Sequence, residues 1–131
     1  MTLTHRASIL EYLASLEVEE GIEVLFACES GSRAWGIESS DSDYDVRFIY
    51  KRPVRDYLTL GTREDTIHRM YEDNLYDFVG WDLDKALSLS YKSNPSILEW
   101  MASDIIYIDK EKFSTPLSKI LQGFSPMALM H

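Results

Sequence analysis

The chain has 131 residues, enough for one ordinary domain, and 45% of them are hydrophobic, enough to build a single buried core. Its 13 Lys and Arg against 22 Asp and Glu leave a formal charge of -9, so duplex nucleic acid is not held here by broad phosphate neutralisation, and a polyanionic substrate must be gripped locally or through a metal. There is no apolar run of about eighteen residues and no basic start followed by an apolar stretch, which excludes a membrane span and a signal peptide from the reading; the lone Cys28 rules out an internal disulfide, a cysteine zinc cluster or a CxxC pair. The cytoplasm is the expected compartment.

In chain order, Ile9, Leu10, Leu13 and Leu16 recur at helical spacing and predict an amphipathic helix over residues 4–16, closed by Gly21. Residues 22–27 form a short β-favouring run with Cys28 beside it, read as a small buried hydrophobe rather than a nucleophile. Residues 30–42 are rich in Ser, Gly and Asp and read as a loop with a helical turn near residues 33–36. Residues 44–50 resume a strand, which Lys51, Arg52 and Pro53 break, while residues 54–60 fit no one pattern. Two more strand candidates, 66–71 and 75–79, flank Glu72-Asp73-Asn74 as a hairpin. Asp82 is placed to cap a helix over 83–91, and Pro95 to begin another through Met101. Residues 105–108 are a last extended segment, and 113–123 are expected to be helical. The apolar tail from Met127 to His131 needs something to cover it, so a truncated form of a longer protein is expected. The order predicts an α+β fold in which a mixed sheet carries its helices on one face, with residues 1–131 as one domain.

The chemistry concentrates in Gly31-Ser32-Arg33-Ala34-Trp35-Gly36 followed by Asp41-Ser42-Asp43-Tyr44-Asp45. Side chains alternate along a strand, so Asp43 and Asp45 share a side if the strand starts there. A hard cation such as Mg²⁺ is held by one or two carboxylates, water and substrate phosphates. Two such ions, about 3.5–4 Å apart, steady the attacking and leaving oxygens of an in-line displacement. Gly31 and Ser32 suit close backbone approach to a triphosphate, and Arg33 adds a charged donor. A Gly-Ser pair alone is usually a plain turn, and an Asp-rich loop is usually a solvated one; the spacing of the two together is the stronger signal. A calcium loop starting at Asp41 fails because Val46 stands where Gly is needed and Arg52 where Glu is needed. A P-loop from Gly31 to Gly36 fails because Ile37 and Glu38 follow in place of Lys and Ser or Thr.

Other residues weigh less. Arg47, Lys51, Arg52 and Arg55 form a basic run that reads equally as a solvated edge or a substrate contact. Trp35, Trp81 and Tyr44 are better suited to core packing than to base stacking. His5, His68 and His131 have no partner at metal-ligand spacing and read as surface or tail residues.

The string Glu29-Ser30-Gly31-Ser32-Arg33-Ala34-Trp35-Gly36, with Ser39 and the segment from Asp41 to Tyr50, resembles the predicted nucleotidyltransferases of the polymerase beta superfamily, in the branch associated with RNA repair. Gly80-Trp81-Asp82-Leu83, Lys85-Ala86-Leu87, Lys92-Ser93-Asn94-Pro95 and Glu99-Trp100 look like the same branch. The resemblance implies a small mixed sheet and transfer of a nucleoside monophosphate from an NTP to a hydroxyl, with Mg²⁺ or Mn²⁺ as cofactor and an RNA end as a candidate acceptor. It implies that Gly31 and Ser32, with Arg33 beside them, bind the nucleotide, and that Asp43 and Asp45 hold metal. It also implies a third carboxylate on a later strand that helps activate the hydroxyl. Asp77, inside a strand candidate, is preferred for that place over Asp82, which suits a helix cap. Members of the branch continue beyond the position of His131, so a competing reading is a nucleotide-binding or regulatory module of the same fold without turnover.

Overall fold

The computed structural model describes residues 3–31, 43–58 and 64–110. Its element order is α1 (Leu3–Glu20), β1 (Glu23–Glu29), β2 (Tyr44–Lys51), α2 (Val54–Tyr57), β3 (Thr66–Tyr71), β4 (Tyr76–Asp82), α3 (Leu83–Tyr91), α4 (Pro95–Met101) and β5 (Ile106–Asp109). The expected helix at 113–123 and the tail after it fall outside the described residues.

α1 runs four residues beyond its predicted end, to Glu20, and stops at Gly21, whose φ of +63° a side chain would disfavour. The ambiguous stretch after Pro53 resolves into the single turn α2. The β3–β4 hairpin is built as expected, with Glu72, Asp73 and Asn74 all at positive φ. β4 continues past Val79 through Gly80, Trp81 and Asp82 because partners on both sides keep its backbone hydrogen-bonded: Gly80 faces Phe48 of β2 and Ile67 of β3.

The five strands stand in the order β3-β4-β2-β1-β5. β2 and β4 run parallel while the other three pairs are antiparallel, so the sheet is mixed and the α+β class holds. The helices do not share one face. Ile9, Leu13 and Leu16 of α1 pack against Val46, Phe48, Tyr50 and Phe78, whereas Ala86 of α3 and Ile97 and Trp100 of α4 pack against Phe26, Cys28 and Ile49. In β2 these are alternate positions, so the two clusters lie on opposite faces of the sheet. The sequence pattern hid this because Phe48, Ile49 and Tyr50, buried on both faces of β2, form an apolar run that assigns no side.

β1 serves both faces through an irregularity in its pairing with β2 between Val24 and Phe26. The extra residue changes the alternation, so Val24 joins the α1 cluster while Phe26 joins the α3/α4 cluster. Capping follows the sequence closely: the Asp82 carboxylate accepts from the Asp84 N–H, and the Asn94 side chain accepts from the Ser96 and Ile97 N–H groups with Pro95 as the first residue of α4. No described helix is long and apolar enough to cross a membrane.

Candidate active site

α3 and α4 cover only one end of their face. At the other end, Asp45 and Arg47 of β2 and Asp77 of β4 put charge on that face. The parallel register sets Asp45 directly opposite Asp77 and Arg47 opposite Val79. Neighbouring strands lie about 4.8 Å apart, so two carboxylates rise side by side from one surface. Their side chains are 34% and 23% exposed, open enough for a ligand and shielded enough for charge to matter.

Arg47 reaches both acids. Its Nη2 stands 3.3 Å from Asp77 Oδ2 and 3.7 Å from Asp45 Oδ1, while Nη1 donates to the carbonyls of Asp77 at 2.9 Å and Val46 at 3.1 Å. On the far side of Asp77, His68 of the edge strand donates from Nε2 to Oδ1 at 2.8 Å. Burial raises the carboxyl pKa of Asp45 above the ordinary range; Arg47 pulls it back, and the charges of Asp77 and Asp43 push it further up.

Asp45 is gripped through its backbone as well. Its N–H donates to Glu29 Oε2 at 2.7 Å and its carbonyl accepts from the Ser30 N–H at 2.8 Å. Glu29 is fully buried on the α1 side, where Oε1 accepts from the Tyr107 hydroxyl at 2.8 Å and its carbonyl accepts from Ser103 Oγ at 2.5 Å. Desolvation first, and then the neighbouring Glu29 charge, drive the Tyr107 pKa upward, so it remains a phenol donor.

Gly31 follows this junction immediately. A Cβ placed there would lie 2.0 Å from Asp45 Oδ2 and 2.9 Å from its Cγ. The glycine is thus required by close approach of backbone to carboxylate, and the start of the Gly-Ser turn touches the acid that the sequence set twelve or more residues away. Ser32 and Arg33, the other nucleotide-binding candidates, lie outside the described residues, as does Trp35.

Asp43 sits exposed just ahead of β2, near enough for its charge to act on Asp45. Among the described residues no three His, Cys, Asp or Glu side chains gather at metal-ligand spacing. The carboxylates of Asp45 and Asp77, in register on adjacent strands, are oxygen donors of the kind a hard divalent ion takes. Asp82 stands apart from this group: it is buried at the other end of β4, caps α3 and accepts from the Tyr57 hydroxyl at 3.3 Å.

The basic run does not form one patch. Arg47 turns to the acids, Lys51 pairs with Glu23 at 3.4 Å, Arg52 lies over the Tyr50 ring and donates to the Glu20 carbonyl, and Arg55 is exposed beside Asp56. Trp81 stacks on Trp100 with ring centroids 3.9 Å apart, and Tyr44 packs against Tyr76 and His5, so these aromatics serve the core. His5 is not a plain surface residue, because Nδ1 shares a 2.7 Å hydrogen bond with the Tyr76 hydroxyl. His68 also has a partner that residue spacing did not reveal. Counting back from the hairpin turn would have found it, since Tyr71↔Tyr76 pairing puts His68 opposite Val79, on the same side as Asp77 and diagonal to it.

Two comparisons with known proteins bear on which family the chain is from. Residues 5–131 match the family described as the RNA repair pathway DNA polymerase beta family, RlaP. A similar protein is "Uncharacterized protein YcgL" of Bacillus subtilis (strain 168), 42% identical over 124 residues; the match covers 94% of this chain and 47% of that relative, so the chain spans about half its length. With the family match extending over nearly the whole sequence, from the first turns of α1 onward, this chain belongs to the RNA repair pathway DNA polymerase beta family.

Proposed function

We propose that the chain is the nucleotidyl-transferring part of its protein, moving a nucleoside monophosphate from an NTP to a hydroxyl acceptor, with an RNA end as the acceptor. The observation that carries this reading is the in-register Asp45–Asp77 pair with the backbone of Gly31 against the Asp45 carboxylate. In this reading the acceptor oxygen attacks the α-phosphorus, the bond to the β-phosphate oxygen breaks, and pyrophosphate departs. Asp77, the more shielded acid, takes the proton from the attacking hydroxyl. Asp43 and Asp45, with Asp77, are the residues to hold Mg²⁺ or Mn²⁺, which would neutralise phosphate charge and orient the oxygens. Gly31, Ser32 and Arg33 hold the phosphates. The bond from the Asp45 N–H to Glu29 Oε2 and that from the Ser30 N–H to the Asp45 carbonyl keep the start of β2 beside Gly31.

The test is transfer from α-labelled NTPs to an RNA oligonucleotide in Mg²⁺, with Mg-NTP binding followed by calorimetry. Asp45→Asn and Asp77→Asn are each expected to lower transfer by about 10²–10⁴-fold while melting near the wild-type temperature. Undiminished transfer by both variants would remove the site assignment. A second reading is a nucleotide-binding module of the same fold without turnover. It predicts Mg-NTP binding that Asp45→Asn abolishes, with no label transferred by the wild type.

A further inference from the structure

Arg47 is the one described group that touches both acids of the pair, and nothing in the family resemblance assigns it a task. Two carboxylates directly opposite on neighbouring strands repel unless a cation lies between them. The guanidinium is in that position, and its two nitrogens are held differently. Nη1 is fixed on two backbone carbonyls at 2.9 and 3.1 Å. Nη2 meets the carboxylates at 3.3 and 3.7 Å, longer than the about 2.7–2.9 Å of a tight charge-assisted bond. The firm contacts are therefore to the main chain and the loose ones to the acids.

The carboxylate oxygens are divided in a way that matters. Arg47 faces Oδ1 of Asp45 and Oδ2 of Asp77, whereas His68 takes Oδ1 of Asp77 and the Gly31 backbone crowds Oδ2 of Asp45. Asp45 and Asp77 would hold a divalent ion through the oxygens that Arg47 faces, since the other two are engaged by His68 and crowded by Gly31. Nη2 can release them while Nη1 keeps its carbonyls, so exchange of one cation for the other requires no unfolding of the strand ends.

We propose that Arg47 is a positioning residue that serves as the built-in counter-cation of the Asp45–Asp77 pair, and that a divalent ion binds the pair by taking over the oxygens Arg47 faces. This rests on the reading of Asp45 and Asp77 as metal ligands. Arg47 thereby keeps both acids aimed at one point before the ion arrives, and it raises the ion concentration at which the site fills.

The experiment is Mn²⁺ binding by calorimetry, without nucleotide, to the wild type, Arg47→Met, Arg47→Lys and Asp45→Asn, with melting temperatures recorded with and without the ion. A charge at this distance changes a carboxylate's affinity for a proton by about tenfold or more, and a change of similar size is expected for a metal ion. Arg47→Met should bind Mn²⁺ about tenfold more tightly than wild type, melt lower without the ion, and gain more in melting temperature when it is added. Arg47→Lys, which keeps a cation, should fall between the two. In the wild type, the side-chain nitrogen resonance of Arg47, assigned by its loss in Arg47→Lys, should shift saturably with Mg²⁺; this measurement stands even if Arg47→Met fails to fold. Weaker or unchanged Mn²⁺ affinity in Arg47→Met, or an Arg47 resonance indifferent to saturating Mg²⁺, overturns the proposal while leaving the acid pair as a metal site. Mn²⁺ binding that is equal in wild type and Asp45→Asn overturns the metal-site reading itself.

Discussion

The two faces of the central sheet are made by the same strands and put to different uses. On the α1 face, Tyr44, Val46, Phe48 and Tyr50 of β2 and Tyr76 and Phe78 of β4 are all buried under one helix. On the other face, Ile49 lies under α3 and α4, while Arg47 and Asp45 emerge beyond them beside Asp77. Asp77 therefore stands between buried Tyr76 and Phe78, and Asp45 between buried Tyr44 and Val46. A packed face allows little sideways movement of the strands, so the open face inherits rigid spacing without any apolar packing of its own.

The same contrast separates two of the acids, Glu29 and Asp45. Glu29 is enclosed on the α1 face with donors from Tyr107 and the Asp45 backbone, which fixes it as structure. Asp45 is partly open and faces a guanidinium, which leaves its carboxylate available to a ligand. A buried carboxylate satisfied by neutral donors holds the backbone still; one that shares a loosely held cation can exchange it.

Glycine substitutions should break the comparison most clearly. Gly31→Ala would push its Cβ into the Asp45 carboxylate, a side-chain end that can rotate away, so melting should change little. Binding of Mn²⁺ or Mg-NTP, read by calorimetry, should fall by up to about 100-fold because the acid is turned aside by about an ångström. Gly80→Ala meets Phe48 ring carbons at 2.1–2.6 Å on the packed face, where the fully buried ring has nowhere to go. That variant should lose about 1–3 kcal/mol of stability in urea unfolding. If both variants behaved alike, the division of labour between the faces would be wrong.

A smaller effect is expected from Tyr107→Phe, which takes a hydroxyl donor from the buried Glu29 carboxylate. A loss of about 1–3 kcal/mol in chemical denaturation is expected, together with a modest weakening of ligand binding through the Glu29–Asp45 bond. The smallest perturbation is chemical. The Cys28 thiol is fully buried and pushed up to about 12 by desolvation, with the Glu29 charge adding to it. Native protein at pH 8 should react with a thiol reagent far more slowly than protein unfolded in urea, because the thiolate is the reactive form and the native thiol titrates well above that pH. Rapid labelling of the native chain would place an opening beneath α3 and α4.

Much of the fold could be read from local pattern. The spacing of Ile9, Leu13 and Leu16 predicts α1, the β-favouring runs predict β1 and β2, and Asp82 and Pro95 mark where α3 and α4 begin. These features act over a few residues, through backbone stereochemistry and local capping. The side on which each helix packs could not be read, because β2 is apolar at successive positions and because the irregularity at Val24 and Phe26 reverses the alternation of β1. For the candidate site, the sequence singled out Gly31, Asp43, Asp45 and Asp77 but left Asp82 open as the third acid. The parallel β2–β4 register is what sets Asp77 opposite Asp45 and carries Asp82 to the far end of the strand.

What the sequence determined by itself is the α+β class, most of the element order, and the candidate residues Gly31, Asp43, Asp45 and Asp77. Tertiary structure alone decided that the acids of two strands stand in register, that Arg47 lies between them, that His68 reaches Asp77, and that Glu29 ties Asp45 to β5 from beneath. The physical reason is that helix propensity and capping act between residues close in the chain. A shared cation or a buried hydrogen bond instead depends on which strands become neighbours and at what offset, and burial of the whole core settles that.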